Sequence, residues 1–170
     1  MATTTFEIAQ REPVLGGRPF GDAGAYEKIA GTLRFAVDPR HPHHADITDL
    51  DRAPRNATEL VEFSADFYLL RPVEAARGNG ALLLDVPNRG RKLAPQLFDD
   101  SPQPGANRAE APEDAGIGFL HRQGFTMVWV GWQGDIPSKP GQMALTPIPC
   151  WPSSARRHSL SILTPALDTQ

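Results

Sequence analysis

The densest group of residues that could do chemistry is Asp38, His41, His43, His44 and Asp46, packed into one short stretch. Imidazole and carboxylate are good ligands for zinc and similar ions. Pro39 and Pro42 interrupt the stretch, however, and no two of its histidines are spaced i, i+4, so it reads as a solvated loop, with a metal site at His41, His43 and His44 as the weaker alternative. His121 has the chemistry of a general acid or base and reads as a partly exposed helix residue. A serine nucleophile of the strand-to-helix type needs a Gly-x-Ser-x-Gly elbow, and none is present. Ser64 sits between Phe63 and Ala65 in a strand pattern, Ser101 in a Pro-rich loop and Ser138 in Ile-Pro-Ser-Lys-Pro, so each reads as structural or solvated. Two segments follow apolar runs. Asn88, Arg89 and Gly90 could aim backbone amides at a developing oxyanion, or simply form a tight turn in which Asn and Gly tolerate positive φ. Gln133, Gly134 and Asp135 stand where open α/β sheets bind ligands, or form a solvated loop. Trp129 and Trp132 read as core packing.

Composition narrows the classes. The chain has 170 residues, with 17 Lys+Arg against 20 Asp+Glu and a net charge of -3, which suits one modest soluble domain. It carries no basic cluster, so neither nucleic acid nor membrane is expected as a partner. Cys150 is the single cysteine; it excludes an internal disulfide framework and a multi-cysteine zinc site, and the cytoplasm is the expected compartment. Residues 1–10 lack the pattern of a secretory signal, and no apolar run approaches the roughly 20 residues of a membrane span. Asn56-Ala57-Thr58 matches a glycosylation acceptor and reads as an accident of composition. With 15 Gly and 17 Pro, many turns and short elements are expected rather than a helix bundle.

The elements that must position these residues follow from periodicity. A short strand is expected around residues 6–8, then a Gly-rich loop over 16–24. Residues 26–37 alternate, with Ile29, Gly31, Leu33, Phe35 and Val37 on one face and Lys28, Thr32 and Arg34 on the other. Residues 61–70 alternate likewise, with Phe63, Ala65, Phe67 and Leu69 sharing a face. Such half-wet strands belong to antiparallel pairs. Residues 40–56 read as a surface excursion with at most one short strand. The unbroken apolar runs at 81–86 and 125–130 then predict parallel strands buried on both faces. Between them a helical turn is expected at 94–98 and a short helix at 113–123, with Ile117, Phe119 and Leu120 facing the sheet and Gly124 closing it. Residues 81–131 therefore read as a right-handed βαβ unit. After Pro149 the composition changes: residues 150–170 hold no glycine and no acid before Asp168. They read as an atypical tail, either flexible or the product of a shifted reading frame, appended to a domain over residues 1–149.

Four segments together carry a resemblance. They are Val61-Glu62-Phe63-Ser64-Ala65-Asp66-Phe67-Tyr68-Leu69-Leu70-Arg71-Pro72, Asp85-Val86-Pro87-Asn88-Arg89-Gly90-Arg91-Lys92, Gly118-Phe119-Leu120, and Gly124-Phe125-Thr126-Met127-Val128-Trp129-Val130-Gly131-Trp132-Gln133-Gly134-Asp135. Over roughly residues 5–145 the chain resembles the N-terminal part of the bacterial alpha/beta hydrolase domain family, whose members are large and mostly uncharacterised. The resemblance implies an α/β fold in which N-terminal β-rich antiparallel strands lead into the first βαβ unit of an alpha/beta hydrolase type sheet, left incomplete. It places residues 81–86 before the oxyanion loop, with Asn88, Arg89 and Gly90 as its donors, and puts nucleophile, acid and histidine in sequence this chain lacks. The intact relative is then expected to hydrolyse ester or similar acyl bonds of a small-molecule substrate with a serine nucleophile and no cofactor, and this chain to be inactive. An unfinished sheet should leave residues 82–84 and 127–130 poorly covered. The alternative is a non-catalytic β-rich binding or assembly module built on residues 25–72.

Overall fold

The computed structural model describes residues 3–87, 89–102, 115–134 and 145–147. The expected tail over 150–170 lies outside them. Alternation in the first half produces three long antiparallel strands, β1 (Thr3–Pro13), β2 (Tyr26–Val37) and β3 (Val61–Pro72). β2 pairs with β3 along its whole length, from Tyr26 opposite Pro72 to Val37 opposite Val61. β1 is much longer than its apolar centre suggested, because Arg11 and Glu12 at its end pair with Glu27 and Lys28 of β2. Its register slips between Ile8 and Gln10. Opposite that slip only glycine fits at position 31, where a Cβ would lie 2.0 Å from the Glu7 carbonyl oxygen.

The second half adds β4 (Leu82–Leu84), α1 (Ala94–Asp99), α2 (Phe119–Arg122), β5 (Thr126–Val130) and β6 (Leu145–Pro147). β4 and β5 are parallel, as their apolar runs predicted, and the six strands form one mixed sheet of the α/β-like kind. β5, the later strand, lies inside, antiparallel to β3, while β4 takes the outer place in the order β1-β2-β3-β5-β4; β6 pairs with β3. β4 is therefore an edge and not a strand buried on both faces: Leu82, Leu84 and Val86 are about 60% exposed. The expected exposure of β5 does not occur at Met127 and Trp129, which are fully buried. A continuous apolar run shows that a strand can be covered, not that a neighbour covers it.

One sheet face carries the main core, in which Tyr26, Tyr68, Leu70, Met127 and Trp129 pack with Val14, Phe20 and Leu120. Each such side chain contributes about 1.5–3 kcal/mol by burial. The other face gathers Ile29, Leu33 and Phe67, with Phe6 edge-on to Phe67 at 5.6 Å. Residues 40–56 form two 3-10 turns, Pro42–His44 and Leu50–Arg52, rather than a strand. The helix expected over 113–123 is a single turn within the described residues, because Gly116 and Gly118 adopt left-handed backbone ahead of it. Ile117 and Phe119 are consequently exposed, and only Leu120 reaches the core. No helix among the described residues is long and apolar enough to cross a membrane.

Candidate functional site

The carboxyl ends of β4 and β5 open at the same edge of the sheet, and a lone acid in the first apolar run organises it. The Asp85 amide donates to the Val128 carbonyl, extending the ladder. Its Oδ2 accepts from the amides of Leu93 and Ala94, at 2.8 Å each, and from the Trp129 indole N–H. One carboxylate thus ties β4, β5 and the start of α1. Beyond it the Trp132 indole N–H donates to the Pro87 carbonyl at 2.6 Å. Arg89 is left-handed (φ 52°), and its amide donates to Gln133 Oε1 at 2.7 Å. The segments singled out as an oxyanion turn and a ligand edge therefore meet directly. The Arg89 N–H is occupied by a side-chain carbonyl, so it can serve an acyl oxygen only after Gln133 withdraws. Gly90 is left-handed and buried behind it, and Gly134 is exposed. Asn88 and Asp135 lie outside the described residues.

Under this turn sits Lys92, only 1% exposed, with Nζ 3.9 Å from the Tyr68 ring centroid and 5.8 Å from that of Trp129. Burial, and then the charge of Lys28, bring its pKa down to about 7, with Asp85 opposing them. The ring faces also favour the charged form. An amine poised near neutrality can take or give a proton. In the run Arg89-Gly90-Arg91-Lys92 it reads as one more solvated base, and neither spacing nor period separates it from its neighbours.

The amino end of β5 holds a different cluster. His121 is 3% exposed, not the partly exposed helix residue expected. Its ring stacks on Phe20 at 4.4 Å and meets the edge of Tyr26 at 4.9 Å. The Tyr26 hydroxyl shares its proton between the carbonyls of His121 and Phe125. Asp99, fully buried, accepts from the Leu120 amide through Oδ1 and from the Ile117 amide through its carbonyl, and so caps α2 from another element. Its Oδ2 lies 3.8 Å from His121 Nδ1. Burial lowers the His121 pKa to about 4 and raises that of Asp99, the latter opposed by the Leu120 and Phe119 amides and by Arg122. The imidazole is then neutral at pH 7 and the two make no ion pair. Both ring nitrogens, Asp99 Oδ2 and the buried Ser101 Oγ lack hydrogen-bond partners among the described residues. Serine, histidine and aspartate are all present at this end, but no hydrogen bond links nucleophile to base or base to acid, as an assembled triad requires.

The histidine loop is locally satisfied. His41 Nδ1 accepts from the His43 amide, His44 Nδ1 bonds the Asp38 carbonyl, and Asp38 pairs with Arg40. No metal-holding group of three or more His, Cys, Asp or Glu occurs among the described residues. Ser64 is buried on β3, and Ser138 lies outside the described residues. Sequence reasoning missed Lys92 and Asp99 altogether; Asp85, a single acid closing an apolar run, carried the one usable signal. No protein-family model, curated protein or solved structure matches the chain.

Proposed function

We propose that this chain is the N-terminal part of an alpha/beta hydrolase type protein, and that it turns over no ester by itself. It supplies early strands and an oxyanion-side turn for a serine hydrolase of small-molecule esters or similar acyl bonds, without a cofactor and in the cytoplasm. The observation that supports this best is the crossover: β5 lies between β3 and β4, so two parallel strands open their carboxyl ends where α/β sheets take ligands. β4, with Leu82 and Leu84 exposed, offers an apolar edge suited to a further strand. The occupied Arg89 amide fits the inactive reading. The serine that attacks the carbonyl, the base that takes its proton and the acid that orients that base would come from further sequence.

An activated ester such as p-nitrophenyl butyrate should be hydrolysed by the chain no faster than by buffer, and enzyme-dependent turnover would refute inactivity. The coding DNA past about codon 140, read in all forward frames, should continue with a buried strand and a Gly-x-Ser-x-Gly elbow. Its lack in every frame would overturn the family reading. The full-length pairing of β2 favours a second reading, a non-catalytic β-rich binding or assembly module. Cooperative unfolding together with a saturable ligand, and no downstream frame, would establish that reading instead.

A further inference from the structure

Two lysines are buried on the sheet face that carries the main core, and their charges are met differently. Lys28 on β2, 6% exposed, reaches Glu12 at 3.0 Å, and that carboxylate stands half in solvent. Lys92 sits deeper, its ammonium over the Tyr68 ring of β3 and near the Trp129 ring of β5. Those two rings meet edge to face at 5.6 Å and form one aromatic corner. Charges reach this corner from two further elements. Lys28 repels the ammonium from β2, and Asp85 attracts it from the end of β4. Asp85 Oδ2, however, already accepts three N–H donors. The first turn of α1 brings no acid, and Arg89 and Arg91, on the same turn as Lys92, are exposed.

Ring faces and a carboxylate shared among other donors return only part of the hydration that an ammonium loses on burial, whereas a neutral amine loses far less. We infer that Lys92 is a proton-operated latch on the junction of β3, β5 and the start of α1: the neutral amine lets that junction close, and the ammonium loosens it. The residue is placed to act there. It directly precedes Leu93 and Ala94, whose amides Asp85 holds, and it follows the buried, left-handed Gly90 by two positions. Its pKa, brought down from 10.5 to about 7, sets the change near neutral pH. Above that value the folded chain releases a proton that the unfolded chain still binds, so stability rises with pH from about 7 towards 10.5. The latch does not depend on the hydrolase reading.

The test follows the Lys92 Cε chemical shift of the full chain against pH, together with urea unfolding at about pH 6 and about pH 9. The Cε shift should titrate near neutrality, and the urea midpoint should be higher at the higher pH. Lys92→Met, an apolar chain of similar length, should lose most of that rise and be at least as stable as the unaltered chain at the lower pH. Lys28→Met removes the repelling neighbour and should move the Lys92 midpoint upward. Exchange of the Leu93 and Ala94 amides, corrected for its intrinsic pH dependence, should be faster at the lower pH. A Lys92 midpoint above about pH 9 would overturn the proposal, as would a stability rise that survives in Lys92→Met. Equal protection of Leu93 and Ala94 at both pH values would overturn the location of the latch. If Lys92→Met does not fold, the titration and exchange of the unaltered chain decide by themselves. Ester turnover enters none of these readouts, so this proposal and the hydrolase reading fail separately.

Discussion

The two ends of β5 solve opposite problems with similar residues. At its carboxyl end Asp85 Oδ2 accepts three donors, Trp132 is paired with Pro87, and the Arg89 amide with Gln133. At its amino end the His121 ring nitrogens, Asp99 Oδ2 and Ser101 Oγ are buried more deeply than Asp85, Trp132 or Arg89, yet unpaired among the described residues. The difference teaches that burial alone does not define a site. A satisfied network holds backbone in place, whereas orphaned polar atoms carry a desolvation cost that pH can change.

Removing the carboxyl-end hub should give the largest effect. Asp85→Ala strands the amides of Leu93 and Ala94 and the Trp129 indole, and should cost about 3 kcal/mol or more in denaturant unfolding. A loss below about 1 kcal/mol would mean that something other than this carboxylate holds that end. The amino end should show itself in acid. The native His121 pKa is lowered to about 4 from 6.5, so between these values the unfolded chain binds a proton that the folded chain refuses. Stability therefore falls as pH drops through that window, by up to roughly 3 kcal/mol. Asp99 works the other way: its raised pKa favours the fold at low pH, and that contribution is lost as pH rises through the native value. His121→Phe should flatten the acid limb, as followed by unfolding at a series of pH values, and an unchanged limb would erase the contrast between the ends. The smallest effect belongs to Gln133→Ala. It should cost about 1 kcal/mol and speed hydrogen exchange at the Arg89 amide while leaving the Asp85 amide protected; exchange that does not change would show the Gln133 contact to be dispensable.

How much of this could be read beforehand depended on whether a residue's partners are near in sequence. The alternation in β2 and β3 grouped residues by face correctly, from Ile29 to Phe35 and from Phe63 to Leu69, because period two is a local signal, but the face read as wet is buried at Lys28, Ser64 and Tyr68 and carries the main core. β1 was read only around Phe6 and Ile8, since Arg11 and Glu12 look solvated until opposed by Glu27 and Lys28. The runs at 81–86 and 125–130 announced parallel strands but not their order. Order is decided by which strand packs against β3, a contact between distant segments. Arg89 and Gln133 were singled out separately, and only the fold made them partners. Lys92 and Asp99 escaped because one polar residue in a polar stretch leaves no periodic trace, although burial among Tyr68, Trp129 and Leu120 gives them their character.

The interposed position of β5 also sets a timetable for assembly. β1, β2 and β3 can pair in succession as they leave the ribosome, each finding its neighbour across a connection no longer than that from Val37 to Val61. The edge of β3 beside Phe67 to Leu70 must then wait through the synthesis of everything from Val73 to Phe125 before Met127 to Val130 arrive to close it. Such distant pairing is slow, and an open apolar edge invites association with other chains meanwhile. The strand that closes the main core beside β3 is thus made long after β3 itself, and the nascent chain stays vulnerable at that edge until Trp129 emerges.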